Sequence, residues 1–283
     1  MNAPNTAPPE PRFGLIIIGD EILSGKRADK HLPRFIEILA ARGLSLVWAE
    51  YLGDDPARIT ESLRRAFACG DVVFSCGGIG ATPDDHTRQC AAKALDRPLA
   101  LHPEAERLIR ERMQDVAREQ GVPYEPQRPD NVHRLNMGVF PQGAQIIPNP
   151  YNKIPGFRCQ SEGISTPGAA VHFLPGFPVM AWPMAEWVLD THYAAHFRQR
   201  QHLEKSIILF GAMESTLTPL MERLEATHPA IKVFSLPSVD HPKWGRHIEL
   251  GVKGEPEAVE PAYADLLASL DAFALEKGPE LVR

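Results

Sequence analysis

The stretch Val72-Val73-Phe74-Ser75-Cys76-Gly77-Gly78-Ile79-Gly80-Ala81-Thr82-Pro83-Asp84-Asp85-His86-Thr87 decides the fold. Val72 to Cys76 is apolar and largely β-branched or aromatic apart from Ser75, the pattern of a parallel strand covered on both faces. Gly77, Gly78 and Gly80 follow as a loop that tolerates positive φ and close backbone approach, with amide N–H groups available to an anion. Pro83 closes the loop, and Asp84 or Asp85 is placed to cap a helix from His86 to Leu95, whose N-terminal dipole also favours anions. A cap needs one aspartate. The adjacent pair beside a phosphate cradle therefore points to a divalent metal, with Asp84 and Asp85 as its candidate ligands. Turn formation and capping alone are the plainer explanation of the same residues.

Upstream, Phe13 to Ile18 is a second buried-strand run that ends in Gly19-Asp20-Glu21, so carboxylates again stand at the carboxyl end of a strand, where open parallel sheets bind ligands. Leu32, Phe35, Ile36 and Leu39 mark the apolar face of a helix that Gly43 ends, and a strand follows from Leu44 to Tyr51. In Gly53-Asp54-Asp55-Pro56, Asp55 is the natural cap of a helix with Pro56 at its first position and Ile59, Leu63, Ala66 and Phe67 facing inward. That leaves Asp54 free for other work. The first ~95 residues thus read βαβαβα, a doubly wound, mainly parallel α/β sheet.

Downstream, His102 to Gln120 reads as a charged helix with Leu108, Met113 and Val116 as its apolar stripe. Gln145 to Ile147 and Gly168 to Leu174 are strand candidates, the second ending in the turn Pro175-Gly176-Phe177-Pro178. A helix from Val179 to His196 carries Trp182, Met184, Trp187 and Leu189 as core, and requires Pro183 to lie in its first turn. From Lys205 the order changes to βαββα, a ferredoxin-like α+β unit of about 70 residues. The expected organisation is a disordered tail over 1–11, a three-layer domain over 12–195, a linker whose histidines face water, and a small α+β domain over 205–275.

With 283 residues and a formal net charge of −6, the composition is that of an ordinary globular chain of two domains and gives no sign of nucleic-acid binding. Cys69, Cys76, Cys90 and Cys159 show no CxxC or metal-ligand spacing, which fits a reducing, cytoplasmic setting. No apolar run approaches the ~18 residues of a membrane span, and Met1 to Pro11 lacks signal-peptide order.

In order and spacing, six segments resemble the molybdopterin-binding (MoCF biosynthesis) superfamily and, within it, the N-terminal part of competence/damage-inducible (CinA-like) proteins. Gly19 to Gly25 is similar to the family's GDELLxG, Gly53-Asp54-Asp55 to its VGDD, and Gly77 to Thr87 to its GGLGPTxDDxT. Phe140 to Ala144, Asn149-Pro150 with Pro155-Gly156-Phe157, and Leu174 to Pro178 are similar to LPxGA, NPxGxAPGF and LPGVP. The resemblance covers residues 13–195 and, more loosely, Lys205 to Ala274. The nicotinamide-mononucleotide amidohydrolase domain that full-length CinA chains carry further on has no counterpart in these segments, so that activity is not expected of them.

What the resemblance implies is a molybdopterin or nucleotide ligand, assisted by magnesium, manganese or cobalt, and metal-dependent pyrophosphatase activity on ADP-ribose-like substrates. Carried over position by position, Gly77, Gly78, Gly80 and Thr82 would hold phosphate, and Asp54 and Asp85 would be the catalytic acids. Asp20 and Glu21 would line the same cleft, joined by Asn149, Pro175 and Gly176 from the later motifs. A homo-oligomer is implied by analogy. The alternatives are a non-catalytic molybdopterin or nucleotide binding module, and a scaffold in which the aspartates only cap and the glycines only turn. The chain departs from the family pattern at Ala81, at Lys30-His31, at Asn152 where NPxG has glycine, and at Met180 where a glutamate is expected after LPGVPS.

Overall fold

The computed structural model describes residues 11–160, 169–198 and 203–283, and the chain divides into two compact units, Met1–Phe197 and Arg198–Arg283. The expected tail before Pro11, Gly168 and the middle of the expected linker lie outside the described residues.

The first unit runs β1 (Phe13–Ile18), the one-turn α1 (Asp20–Leu23), α2 (His31–Ala40), β2 (Leu46–Leu52), α3 (Pro56–Ala68), β3 (Val72–Cys76) and α4 (Thr87–Leu95). It continues with β4 (Leu99–Leu101), α5 (Pro103–Glu119), α6 (Pro129–Arg134), β5 (Val139–Pro141), β6 (Gln145–Ile147), β7 (Gly156–Cys159), β8 (Ala170–Leu174) and α7 (Pro178–His192). Six strands form one sheet in the order β2-β1-β3-β8-β7-β6. The first four are parallel, and β7 and β6 are antiparallel to their neighbours. β1, β3 and β8 are buried along their whole length, as strands covered on both faces must be, whereas the edge strand β2 alternates. Ile17 pairs with Cys76 and Cys76 with Leu174, so β1, β3 and β8 end level and their loops share one edge.

Pleat alternation sorts the core. Leu15, Ile17 and Phe74 pack against Phe35 and Leu39 of α2 and Met184 and Val188 of α7. Ile16, Ile18 and Val73 pack against Ile59 and Leu63 of α3 and Ala91 of α4. On the second face Phe140, Phe157 and Phe173 stack with ring centroids 4.5 and 4.4 Å apart; burial of each ring stabilises the layer by about 1.5 to 3 kcal/mol.

Several helices differ in detail from the sequence reading. α2 buries Phe35, Ile38 and Leu39 but leaves Ile36 50% exposed, because its core face follows His31, Phe35 and Ile38. α5 buries Ala105, Ile109, Met113 and Ala117, an i+4 row; Leu108 and Val116 flank it half-buried. α3 is capped by Asp55, which accepts from the amides of Ala57 and Arg58, with Pro56 in the first turn. α4 has no side-chain cap: His86 holds the cap position, and neither Asp84 nor Asp85 bonds the helix amides. α7 starts at Pro178, so Pro183 lies beyond the first turn and removes the amide that would bond the Val179 carbonyl; Val179 itself is exposed. The helix ends at His192, which is exposed, and His196 follows half-buried in a 3₁₀ turn, while His202 lies outside the described residues.

The second unit comprises β9 (Leu203–Phe210), α8 (Glu214–Thr227), β10 (Ile231–His241), β11 (Gly245–Gly254), α9 (Pro256–Ser269) and β12 (Glu276–Val282). Its antiparallel sheet has the order β10-β11-β9-β12. Leu217 and Leu224 of α8 and Val259 and Leu266 of α9 share one core with Ile207, Leu209 and Leu250, which places both helices on one face in a ferredoxin-like fold. β12 was not expected, since Gly278 and Pro279 interrupt its pattern. It is an edge strand whose register shifts between Lys277 and Glu280, the kind of place where a sheet accepts both residues. Among the described residues no helix is long and apolar enough to cross a membrane.

Candidate functional site

The loops that follow β1, β2, β3 and β8 meet at one edge of the sheet around a cavity of about 450 Å³. Glu21, Asp54, Asp84 and Asp85 line it, as do Gly77, Gly78, Gly80 and Thr82 of the glycine loop. Asn149, Pro175 and Gly176 line it too, with Gly176 beside Gly77 of the glycine loop. Of the residues singled out by sequence, Asp20 alone does not line the cavity. Instead it exchanges bonds with Asp54: the Asp20 amide donates to Asp54 Oδ2 (2.9 Å), and the Asp54 amide donates to Asp20 Oδ1 (3.2 Å). This reciprocal clamp ties the β1 and β2 loops together and holds the Asp54 carboxylate at the cavity wall. Burial raises the Asp54 pKa from its ordinary value, and repulsion from Asp20, Glu21 and Asp84 adds to it, against the opposing bond from the Asp20 amide.

The glycine loop owes its shape to both glycine properties. Gly77 (φ 112°) and Gly78 (φ 67°) occupy conformations that L side chains rarely adopt, and a Cβ on Gly78 would lie 2.2 Å from Thr87 Oγ1. Gly80 has no positive φ; a Cβ there would meet Asp85 Oδ2 at 2.6 Å. Asp85 turns back into the loop, accepting from the Thr82 amide (2.8 Å) and hydroxyl (2.6 Å). The structure therefore shows Asp85 holding the loop closed, with one carboxylate oxygen already engaged.

The loop carbonyls are all drawn to the start of α4. Thr87 donates its hydroxyl to Gly77 O (3.0 Å) and its amide to Gly78 O (3.0 Å). Arg88 Nη1 donates to Ile79 O (2.5 Å) and Gly80 O (2.6 Å). The amides of Gly78, Ile79, Gly80 and Ala81 have no partner among the described residues. All four residues line the cavity.

The cavity also has apolar lining, to which Ile22, Ile154, Phe177 and Met180 contribute. Sequence reasoning marked Met180 as a departure from the family pattern and Ile22 and Phe177 as parts of motif segments, but selected neither Ile154 nor Arg27, which lines the cavity with its guanidinium 5.9 Å from the Phe177 ring centroid. An isolated arginine in a loop carries no motif, so no signal marked it. His31 also lines the cavity. Its Nε2 donates to Gly176 O (3.0 Å), and burial lowers its pKa, keeping the ring neutral. Asn149 spends its side chain on its own turn, donating to Asn152 Oδ1 (2.8 Å) and Ile154 O (2.9 Å) and accepting from the Tyr151 amide (3.0 Å).

Among the described residues no three His, Cys, Asp or Glu side chains are gathered as a metal cage. Glu21, Asp54 and Asp84 nonetheless face one space, and they are hard oxygen donors. That set fits a hydrated divalent ion held by one or two carboxylates together with a ligand's phosphates, rather than one enclosed by protein.

Residues 14–194 match the family described as "Probable molybdopterin binding domain". A CinA-like protein of Desulfovibrio desulfuricans is 33% identical over 175 residues, covering 62% of this chain and 37% of that protein. One of Geobacter metallireducens is 29% identical over 273 residues, covering 96% of this chain and 59% of its own length. The chain thus spans from about a third to three fifths of these two relatives. A Pyrobaculum calidifontis protein, 28% identical over 276 residues, is matched over 96% of both chains. The solved structure of the CinA protein of Thermoplasma acidophilum superposes with a TM-score of 0.52 at 25% identity, covering 63% of this chain and 97% of that one. A family match over most of the first unit, on a fold whose six motif segments include the glycine loop and the adjacent Pro175-Gly176 turn, shows that the chain belongs to the molybdopterin-binding (MoCF biosynthesis) family and to its CinA-like members.

Proposed function

We propose that the cavity binds a phosphate-bearing pterin or nucleotide and hydrolyses the phosphoanhydride of an ADP-ribose-like substrate. The observation that carries the reading is the run of unpartnered amides from Gly78 to Ala81, placed in the same cavity as Asp54 and several apolar side chains. Phosphate oxygens accept from those amides, and a planar heterocycle lies between Ile22, Phe177 and Met180.

In the proposed reaction, water attacks one phosphorus of ADP-ribose and the bridging P–O bond breaks, giving AMP and ribose 5-phosphate. Charge builds on the phosphoryl oxygens, where preorganised amides stabilise it without reorganising. Asp54, held by the clamp from Asp20, orients the water and accepts its proton. A divalent ion held by Asp54 and Asp84 would neutralise phosphate charge. Asp85 keeps Thr82 and the loop in place.

A binding module without catalysis is the second reading. It is favoured by Met180, which brings a thioether where the family pattern has a carboxylate. Turnover of ADP-ribose with magnesium, manganese or cobalt, beside an Asp54→Asn control, separates the two. Hydrolysis that the substitution removes supports the enzyme; calorimetric binding of ADP-ribose or a pterin phosphate without turnover supports the module. Neither binding nor turnover would sink both.

A further inference from the structure

We infer that Arg88 is a positioning residue for the phosphate cradle: from behind the loop it turns the carbonyls of Ile79 and Gly80 inward, aims the following amides at the cavity and supplies positive charge to the bound phosphate. The inference rests on the phosphate-binding reading of the glycine loop.

The peptide group is planar. In a trans peptide the carbonyl of one residue and the amide N–H of the next point in opposite directions. Pinning four successive carbonyls, Gly77 to Gly80, against α4 therefore directs four successive amides, Gly78 to Ala81, the other way. Those are the amides that lack partners and belong to residues lining the cavity. Two consecutive residues do all the pinning: Thr87 holds the first two carbonyls and Arg88 the last two.

Arg88 is only 4% exposed. No carboxylate lies within ion-pair distance of it among the described residues, and Asp85, the nearest acid to influence it, already accepts twice from Thr82. A buried guanidinium satisfied only by carbonyls is a costly arrangement for a loop that needs nothing but a stable turn. It makes sense where an anion binds on the far side of a single layer of peptide groups and completes the charge balance. Arginine suits the task because it keeps its charge when buried and bonds two acceptors from one nitrogen.

The test is binding of inorganic pyrophosphate by calorimetry to the full chain and to the Arg88→Lys and Arg88→Met variants. Loss of charge and of carbonyl pinning in Arg88→Met is expected to weaken binding by about 10- to 100-fold, and Arg88→Lys to recover most of it. Arg88→Met that binds within twofold of the unaltered protein overturns the assignment. Should that variant not fold, the unaltered protein decides: its amides from Gly78 to Ala81 are expected to exchange with solvent about tenfold more slowly when saturated with pyrophosphate, and the Arg88 side-chain nitrogen signals to shift. Unchanged exchange and unshifted Arg88 signals under saturation would also overturn it. Failure of the unaltered protein to bind pyrophosphate at all is a different result, and it would remove the phosphate reading itself.

Discussion

Asn152 donates its side-chain amide to Met180 Sδ at 3.3 Å, and both residues line the cavity. These are two of the positions at which the chain leaves the family pattern, and they touch. Asn152 Oδ1 also accepts from Asn149 and from the Ile154 amide, so the new side chain is built into the turn that carries it. The pair makes a neutral, polarisable contact where the family resemblance leads one to expect a carboxylate.

Met180→Glu is accordingly expected to add a carboxylate to the space shared by Glu21, Asp54 and Asp84 and to tighten manganese binding by about tenfold. Calorimetry with manganese, with and without the accompanying Asn152→Gly change, measures it. Unchanged affinity would mean that the Met180 end does not communicate with the carboxylates.

Asp54 and Asp55 are neighbours with different work. Asp55→Ala removes the α3 cap and is expected to lower the thermal midpoint without altering ligand affinity. Asp54→Asn, by contrast, keeps the shape but loses the charge at the cavity wall, and should cost about tenfold or more in ADP-ribose turnover or metal-dependent binding. Equal behaviour of the two variants would favour a purely structural clamp.

Gly78→Ala and Gly25→Ala separate conformational cost from contact. Both glycines have positive φ, near 70°, but a Cβ on Gly25 meets nothing within 4 Å, whereas one on Gly78 collides with Thr87 Oγ1. The Gly25 variant should lose about 1 kcal/mol. The Gly78 variant should lose more and bind pyrophosphate weakly, because relief of the clash displaces the Thr87 bond to the loop; denaturant melts and calorimetry give both numbers.

His172 sets a pH dependence. It is fully buried on β8, stacked on Phe74 and bonded through Nε2 to the Tyr193 hydroxyl at 2.9 Å. Burial, with Arg158 and His192 nearby, holds its pKa well below 6.5. The unfolded chain then takes up a proton that the folded chain refuses, so the contribution of His172 is constant above about pH 6.5 and falls below it, by about 1.4 kcal/mol per pH unit until the folded pKa is reached. Urea unfolding read by Trp48, Trp182 and Trp187 fluorescence at pH 7.5 and 5.5 should show the loss, and His172→Phe should flatten it. A slope unchanged in the variant would assign the effect to His31 and His192, whose pKa values burial lowers in the same direction.

Much of this was legible in the chain itself. β1 and β3 announced themselves because strands buried on both faces must be apolar throughout, and α3 because Asp55-Pro56 and its inward residues agree. β12 was hidden by Gly278-Pro279, which only an edge with a register shift accommodates. Asp84 and Asp85 look like caps in sequence, yet α4 begins after them: the Gly78 carbonyl takes the Thr87 amide, and Asp85 is drawn to Thr82.

By itself the sequence determined the alternation of strands and helices, the glycine loop at the end of β3 and the set of polar residues gathered at that edge, because periodicity and turn chemistry are local. Tertiary structure decided which of those residues face the cavity and which hold one another. Asp20 became the clamp of Asp54, Asp85 the lock of Thr82, and Arg88, unmarked by any motif, the residue behind the cradle. The reason is physical: a hydrogen-bond donor or acceptor is committed by whichever partner the fold brings within about 3 Å, and that partner is not written in its neighbours along the chain.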